Sequence, residues 1–405
     1  MFSENLFRPR EGLAGQGKNS QKMTQPGGGD FHLLDFQGFT CTACGLCCTR
    51  PWGIGIEPEV EPGIRGSRLF AQRQREGYLP ISIAEDTCLP KANRKSNGDC
   101  MFLAEENQCG LHSELGAQGK PVGCQIYPYR AVSTPTGTYF SQSWVCPPVV
   151  AGLDRNVEEN RGQLQELLRR FPDAAARLPD NDLPVRLTAD VHISWTSYLH
   201  LEKRLLEGYH RDRPADSLMA IVTSLLAVAN LPDKVGDDWP ALGKLADDMS
   251  FERELLTMYL TGIISAIETE HDLERRAGVQ AALAGGAPVV SLHLGTTLPC
   301  LSRETPQSPR LLEAFERYFR NMVAGKNLLS PSLVKQLLAL AIGHAMLEFY
   351  AEAFRLKRGE AELSLESLTC AFEIVESQLF HSDTLAPFFV DFESTLLVLS
   401  AASQD

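Results

Sequence analysis

The run Cys41-Thr-Ala-Cys44-Gly-Leu-Cys47-Cys48 constrains this chain more than any other feature, because it sets four thiols within eight residues. Two-residue spacing lets successive sulfurs turn toward one ion from a tight loop, and Gly45 eases the turn. Nine of the eleven cysteines fall between Cys41 and Cys146, leaving Cys300 and Cys370 as expected buried thiols in apolar stretches. A disulfide framework suits small secreted domains. Here the chain has 405 residues, an odd cysteine count and no basic-then-apolar N-terminus to read as an export signal. Metal ligation is the better reading.

Which metal is left open by spacing alone. Zinc takes four Cys or His ligands in a tetrahedron. Cys41, Cys44 and Cys47 also repeat the Cys-x2-Cys-x2-Cys run of a bacterial ferredoxin. Pro51 stands where the ferredoxin's fourth cysteine would be, although a remote cysteine followed by proline exists at Cys146-Pro147. Neighbouring sulfurs point apart, so Cys47 and Cys48 seldom serve one ion, and one of them could face a second metal or act in redox chemistry. A second block runs Cys100-Met-Phe-Leu, Cys109-Gly-Leu-His112, Lys120-Pro121-Val-Gly-Cys124 and Tyr127-Pro128. Cys88 reads as a spare thiol or a ligand. His112 has a workable ligand spacing after Cys109, against the plainer reading of a locally hydrogen-bonded histidine. Tyr127, Tyr129 and Arg130 are expected beside the thiols, with Arg130 offsetting their charge. His344, on an apolar helix, reads as a satisfied core histidine.

These blocks, in this order, resemble the CxxCxxCC cysteine-cluster family of YkgJ type, a zinc- or iron-chelating domain, over roughly residues 38–150. The resemblance implies the ligands Cys41, Cys44, Cys47, Cys48, Cys100, Cys109, Cys124 and Cys146, and a cofactor that is zinc or an iron–sulfur cluster. Cys88 has no counterpart in it. A looser resemblance links the early cluster, and Phe315-Glu-Arg-Tyr318-Phe-Arg-Asn321 with Gly325-Lys326, to flagellin lysine-N-methylases. That would imply S-adenosylmethionine and a protein-modifying activity, but no glycine-rich strand–loop–helix is present to bind that cofactor.

The expected fold class is mainly α: an irregular cysteine-rich metal-binding module with short strands, followed by an all-α helical domain. Residues 1–30, rich in glycine and glutamine, read as a disordered tail. Gly12, Gly17 and Lys18 fall at phosphate-loop spacing, but Asn19 replaces the required hydroxyl. Residues 38–150 form the module, with short strands at 52–56 and 137–143. From 155 to 405 the period becomes helical, with seven to ten helices. Leu255, Leu256, Tyr259, Ile263 and Ile267 share a face, as do Leu311, Leu312, Phe315, Phe319, Met322 and Val323. Val334, Leu337, Leu338, Ala341, Ile342, Ala345 and Phe349 share another. Ser308-Pro309 and Ser330-Pro331 read as helix starts, and Asp216 or Ser217 as a cap.

Charge argues against nucleic acid and for a cytoplasmic, membrane-free protein. Of 38 basic and 51 acidic residues, 24 and 37 lie in 151–405, while the two earlier segments balance. The acidic half could attract a basic protein segment, with a plain solvated surface as the simpler reading. The apolar run 333–350 is broken by Lys335, Gln336, His344 and Glu348.

Overall fold

A computed structural model describes residues 30–50, 52–85, 88–152, 156–177, 185–230, 239–269, 272–284 and 308–380, with isolated positions at 287–298 and 389–396. The tail read as disordered, its phosphate-loop-like spacing and Cys300 lie outside the described residues. The chain divides into two compact units, Met1–Asn181 and Asp182–Asp405.

Unit 1 is built from short pieces. Its strands are β1 (Phe31–His32), β2 (Ile54–Gly55), β3 (Ile81–Ile83), β4 (Pro90–Ala92), β5 (Tyr129–Thr134), β6 (Gly137–Gln142) and β7 (Ala175–Arg177). They form a four-stranded sheet, β1-β6-β5-β7, and a three-stranded one, β2-β4-β3. Both expected strands are present, as β2 and β6. The helices are α1 (Leu46–Thr49), α2 (Glu61–Arg65), α3 (Arg68–Arg75), α4 (Gly110–Leu115), α5 (Val122–Ile126), α6 (Pro147–Ala151) and α7 (Val157–Arg170).

α7 begins where Asn156 accepts hydrogen bonds from the Glu158 and Glu159 N–H groups, with both acids in the positive first turn. Leu164, Leu167 and Leu168, at helical spacing, bury one face in a core with Trp52, Phe70, Phe102, Tyr129 and Phe140. Unit 1 therefore has an apolar interior of its own. The sequence suggested loops tied mainly by metal, because each short segment supplies only one or two core side chains and no period is visible. Asn160 exchanges two hydrogen bonds with the Phe39 backbone (2.7 and 2.9 Å), tethering α7 to the strand of chain that leads into Cys41.

Unit 2 is helical, with two short hairpins. Its elements are β8 (Val185–Arg186), β9 (His192–Ile193), α8 (Trp195–Glu207), α9 (Pro214–Ala229), α10 (Ser250–Thr269), α11 (Leu273–Ala284), β10 (Val289–Ser291), β11 (Thr296–Leu298), α12 (Pro309–Ala324), α13 (Leu333–Arg358) and α14 (Leu365–Val375). α13 is the hub, packed on α9 and α14 and buried along nearly all its length. It is long and apolar enough to cross a membrane, yet 78 % of its apolar window is buried inside the protein, as in a core helix.

Two helix starts differ from the sequence reading. Ser332, not Ser330, caps α13 by accepting from the Lys335 N–H. Asp216 lies inside the first turn of α9 and does not cap it. Its carboxylate instead accepts from Arg213 Nε and Arg253 Nε, each at 2.8 Å, joining α9 to α10. Burial pushes this carboxyl up, but the two guanidinium hydrogen bonds outweigh it and hold it below its ordinary value. Both arginines are nearly half exposed, so solvent screens the pair. Asp216→Asn is expected to cost about 1 kcal/mol in urea denaturation at neutral pH. The difference should shrink as pH falls through the depressed carboxylate pKa.

Candidate metal centre

The first thiols sit in a loop whose shape is set by two left-handed residues. Ala43 (φ 54°) and Gly45 (φ 73°) turn the chain tightly before α1. The Ala43 N–H donates to Cys41 Sγ at 3.4 Å. Gly45 is buried against the Glu105–Asn107 turn: a Cβ there would stand 2.6 Å from the Asn107 carbonyl oxygen. Only glycine serves, both for φ and for space. Gly45→Ala is expected to cost about 1–2 kcal/mol in backbone strain alone, and to push the turn before Cys109 away from Cys47 and Cys48. Metal affinity, read by chelator competition, should fall with stability.

The second block is brought to the first by the backbone. The Cys100 N–H donates to the Cys48 carbonyl at 2.7 Å. Single β-bridges pair Arg94 with Cys100 and Leu103 with Cys109, making a small knot of chain around these residues. Cys109 precedes α4, Cys124 lies in α5, and Cys146 precedes α6. Cys47, Cys100, Cys109 and Cys124 pack partly buried against the unit 1 core, whereas Cys41 and Cys44 are exposed and Cys146 is buried.

The sulfurs then interact directly. Cys47 and Cys48 Sγ are 4.0 Å apart. The Cys100, Cys109 and Cys47 sulfurs around it, together with burial, push the Cys48 pKa up. The other thiols move the other way. The Cys48 thiol, against burial, brings Cys47 down to about 7 and Cys109 to about 6, and lowers Cys100 as well. Backbone N–H groups two or three residues downstream help: Phe102 for Cys100, and Leu111 and His112 for Cys109. Burial raises Cys124 well above the ordinary thiol and Cys146 to about 12, the latter opposed by the Val149 N–H. Cys146 lies in electrostatic range of Cys44, Cys47 and Cys41.

Two cations stand beside the inner thiols. The Arg94 guanidinium donates to the carbonyls of Gly98 (2.8 Å), Cys48 and Trp52, and faces Cys100, Cys48 and Cys124. Lys120 acts on Cys47, Cys109 and Cys124. Sequence reasoning named Arg130 for this role and did not name Arg94. The one available signal was proximity in sequence, since Arg94 shortly precedes Cys100 as Lys120 precedes Cys124. Tyr127 packs tilted on Trp52 (5.1 Å) within the same core, and the Tyr129 hydroxyl donates to the Gln37 carbonyl.

Of the eight thiols named from sequence, Cys47 and Cys48 are in direct contact, and Cys100 is joined to Cys48 through the backbone. Cys88 is exposed in the loop between β3 and β4. Its N–H donates to Ala84 O, and none of its described contacts is with another thiol. His112 contributes its backbone N–H to Cys109, with its ring lowered in pKa by burial and Lys120. Cys370, expected to be buried, is partly exposed in unit 2 with Arg358 Nη2 3.6 Å from its sulfur. Among the described residues no three His, Cys, Asp or Glu side chains stand together as a group that could hold a metal ion.

The donors nevertheless fit a thiophilic ion. Thiols are the soft donors such an ion takes, and Arg94 and Lys120 beside Cys47, Cys48, Cys100 and Cys109 would balance thiolate charge. Residues 40–147 match the family model CxxCxxCC, described as "Putative zinc- or iron-chelating domain". No curated protein and no solved structure matches the chain.

Proposed function

From a segment whose family model is one of zinc or iron chelation, we propose that unit 1 holds zinc or iron through Cys41, Cys44, Cys47, Cys48, Cys100, Cys109, Cys124 and Cys146. The observation that carries this reading is the meeting of the two cysteine blocks, with the Cys100 N–H on the Cys48 carbonyl at 2.7 Å and Cys47 Sγ 4.0 Å from Cys48 Sγ. In water a lone thiol keeps its proton at neutral pH. Here the Cys47 and Cys109 thiols are brought down to about 7 and about 6, which favours the thiolate that a soft cation takes. The bound ion would supply a cross-link between the 41–48 loop and the 100–124 segment, strengthening a core that already exists.

The test is the full-length chain purified without oxygen. Brown protein with broad visible absorption, iron and acid-labile sulfide identifies an iron–sulfur cluster. Colourless protein with stoichiometric zinc identifies a zinc–thiolate centre. Protein that carries neither, and takes up neither on reconstitution, overturns the reading.

A further inference from the structure

The two cysteine blocks meet at main-chain atoms, and one side chain grips both. Residues 93–101 fold back on themselves. The Lys95 N–H donates to the Asp99 carbonyl at 2.8 Å, the Met101 N–H donates to the Asn93 carbonyl at 3.0 Å, and Arg94 pairs with Cys100 across the turn. From this hairpin the Arg94 side chain reaches three carbonyls. Nη1 donates to Gly98 O at 2.8 Å, within the hairpin, and to Cys48 O at 3.4 Å, while Nη2 donates to Trp52 O. Cys48 and Trp52 belong to the first block and the chain just after it. Cys48 lies in the last turn of α1, where a carbonyl has no N–H further along the helix to accept from. Arg94 and the Cys100 N–H, the latter at 2.7 Å, supply what the helix lacks. Two other cations hold carbonyls near Cys100. Arg73 Nε donates to Met101 O at 3.1 Å and Nη2 to Leu103 O at 3.2 Å, and Lys95 Nζ donates to Leu103 O at 2.7 Å. Those contacts brace the second block, whereas the Arg94 contacts join it to the first.

We infer that Arg94 is the positioning residue of the metal centre: its guanidinium fork sets the 41–52 segment in register with the Cys100 hairpin, so the two cysteine blocks are held side by side before an ion arrives. This rests on the metal-binding reading above and adds how the site is assembled. An ion that meets segments already in register does not have to order them as it binds, and its affinity gains accordingly. Outer groups that orient metal ligands are worth roughly 10–100-fold in affinity. Balancing thiolate charge is a separate role, and lysine divides the two. Arg94→Lys keeps a cation at this position and gives up the planar fork that fixes several carbonyls at once.

The experiment treats the metal-free, reduced, full-length chain with dibromobimane, which joins two neighbouring thiols, and identifies the joined pairs by peptide mass mapping. The wild type should give pairs that span the blocks, Cys47 or Cys48 with Cys100 or Cys109. Arg94→Lys should form these pairs more slowly while still joining thiols within the first block. Its zinc affinity, read by chelator competition, should fall by about 10–100-fold. Arg73→Lys, which loosens the second block alone, should join across the blocks as the wild type does. A metal-free wild type that yields no cross-block pair overturns the inference without recourse to any variant. So does an Arg94→Lys chain that matches the wild type in both readouts, and metal binding stands in either case. A wild-type chain that joins its blocks but takes up neither zinc nor iron overturns the metal-binding reading instead.

Discussion

Replacing Cys109 with serine is expected to weaken metal retention by about two to three orders of magnitude. Structural zinc in small thiolate sites contributes roughly 10–16 kcal/mol, so one ligand of four accounts for about 3 kcal/mol. Serine keeps the size and loses the chemistry, since a hydroxyl does not ionise at neutral pH and is a poor partner for a soft ion. Cys109 is the sharpest choice because it is tied to the cluster from several sides. Cys48, the Leu111 and His112 backbone and Lys120 bring its thiol down to about 6 against burial. Cys88→Ser is the matched control: exposed and away from the other thiols, it should change affinity less than twofold on the scale of ordinary surface substitutions. Competition against a chromogenic chelator reads both. Equal losses for the two variants would sink the ligand assignment. The helical content of the Cys109 variant should persist, because Trp52, Phe102, Tyr129 and Phe140 hold unit 1 together without metal.

The second large effect is a loss of stability below neutral pH that traces to one side chain in unit 2. His344, on α13, is fully buried with its ring edge-on to Phe315 at 4.7 Å. Neither ring nitrogen has a hydrogen-bond partner, and Glu348 Oε2 stands 3.6 Å from Nδ1. The sequence suggested a core histidine with its hydrogen bonds met. The core position is present and the partners are not. Burial holds its pKa down to about 3, against a pull upward from Asp216. The unfolded chain binds the proton near its ordinary value of about 6.5. Folded and unfolded states therefore differ between about 6.5 and 3, with the unfolded state binding more protons. Stability is complete above this window and falls as pH drops through it, by about 1.4 kcal/mol per pH unit, or roughly 2 kcal/mol by pH 5. His344→Leu should hold or raise stability at pH 7, since an unsatisfied buried polar group is removed, and should flatten the slope between pH 6.5 and 5. Urea titrations of both proteins at pH 7 and 5 decide it. Metal ligands also protonate on acidification, but they do so equally in both proteins. Parallel slopes would contradict the assignment. Loss of the Asp216 carboxylate pairing comes at lower pH, so the two effects separate.

Much of the centre was legible because thiol spacing is local information. Cys41 to Cys48 lie in one short stretch, and their two-residue spacing is what points to thiol chemistry. The meeting of that loop with Cys100 and Cys109 was available only through resemblance. It depends on a single backbone hydrogen bond and two isolated β-bridges, which have no period and no composition. Arg94 was invisible for the same reason: an arginine becomes a thiolate partner only when the Cys100 bridge turns it inward. The helices of unit 2 were plain from their 3.6-residue period, and most of the residues read onto the inner faces of α10, α12 and α13 are buried, while Ile267, Leu312 and Ala345 are partly exposed and α13 is buried on nearly all sides. Their starts were less so, since Ser330 and Ser332 offer the same hydroxyl and only tertiary packing chooses. The core of unit 1 was hidden by its construction, one or two side chains at a time from elements of two to eight residues, with α7 closing it from beyond the cysteines.

X-ray absorption at the zinc or iron edge of the intact, anaerobically purified chain reads the ligand atoms without assuming a fold. Sulfur neighbours alone, about four per metal at roughly 2.3 Å, are the expected first shell. A shell of oxygen and nitrogen, with the thiols of Cys41 to Cys146 still free to titrate, would show that these sulfurs gather for some other purpose.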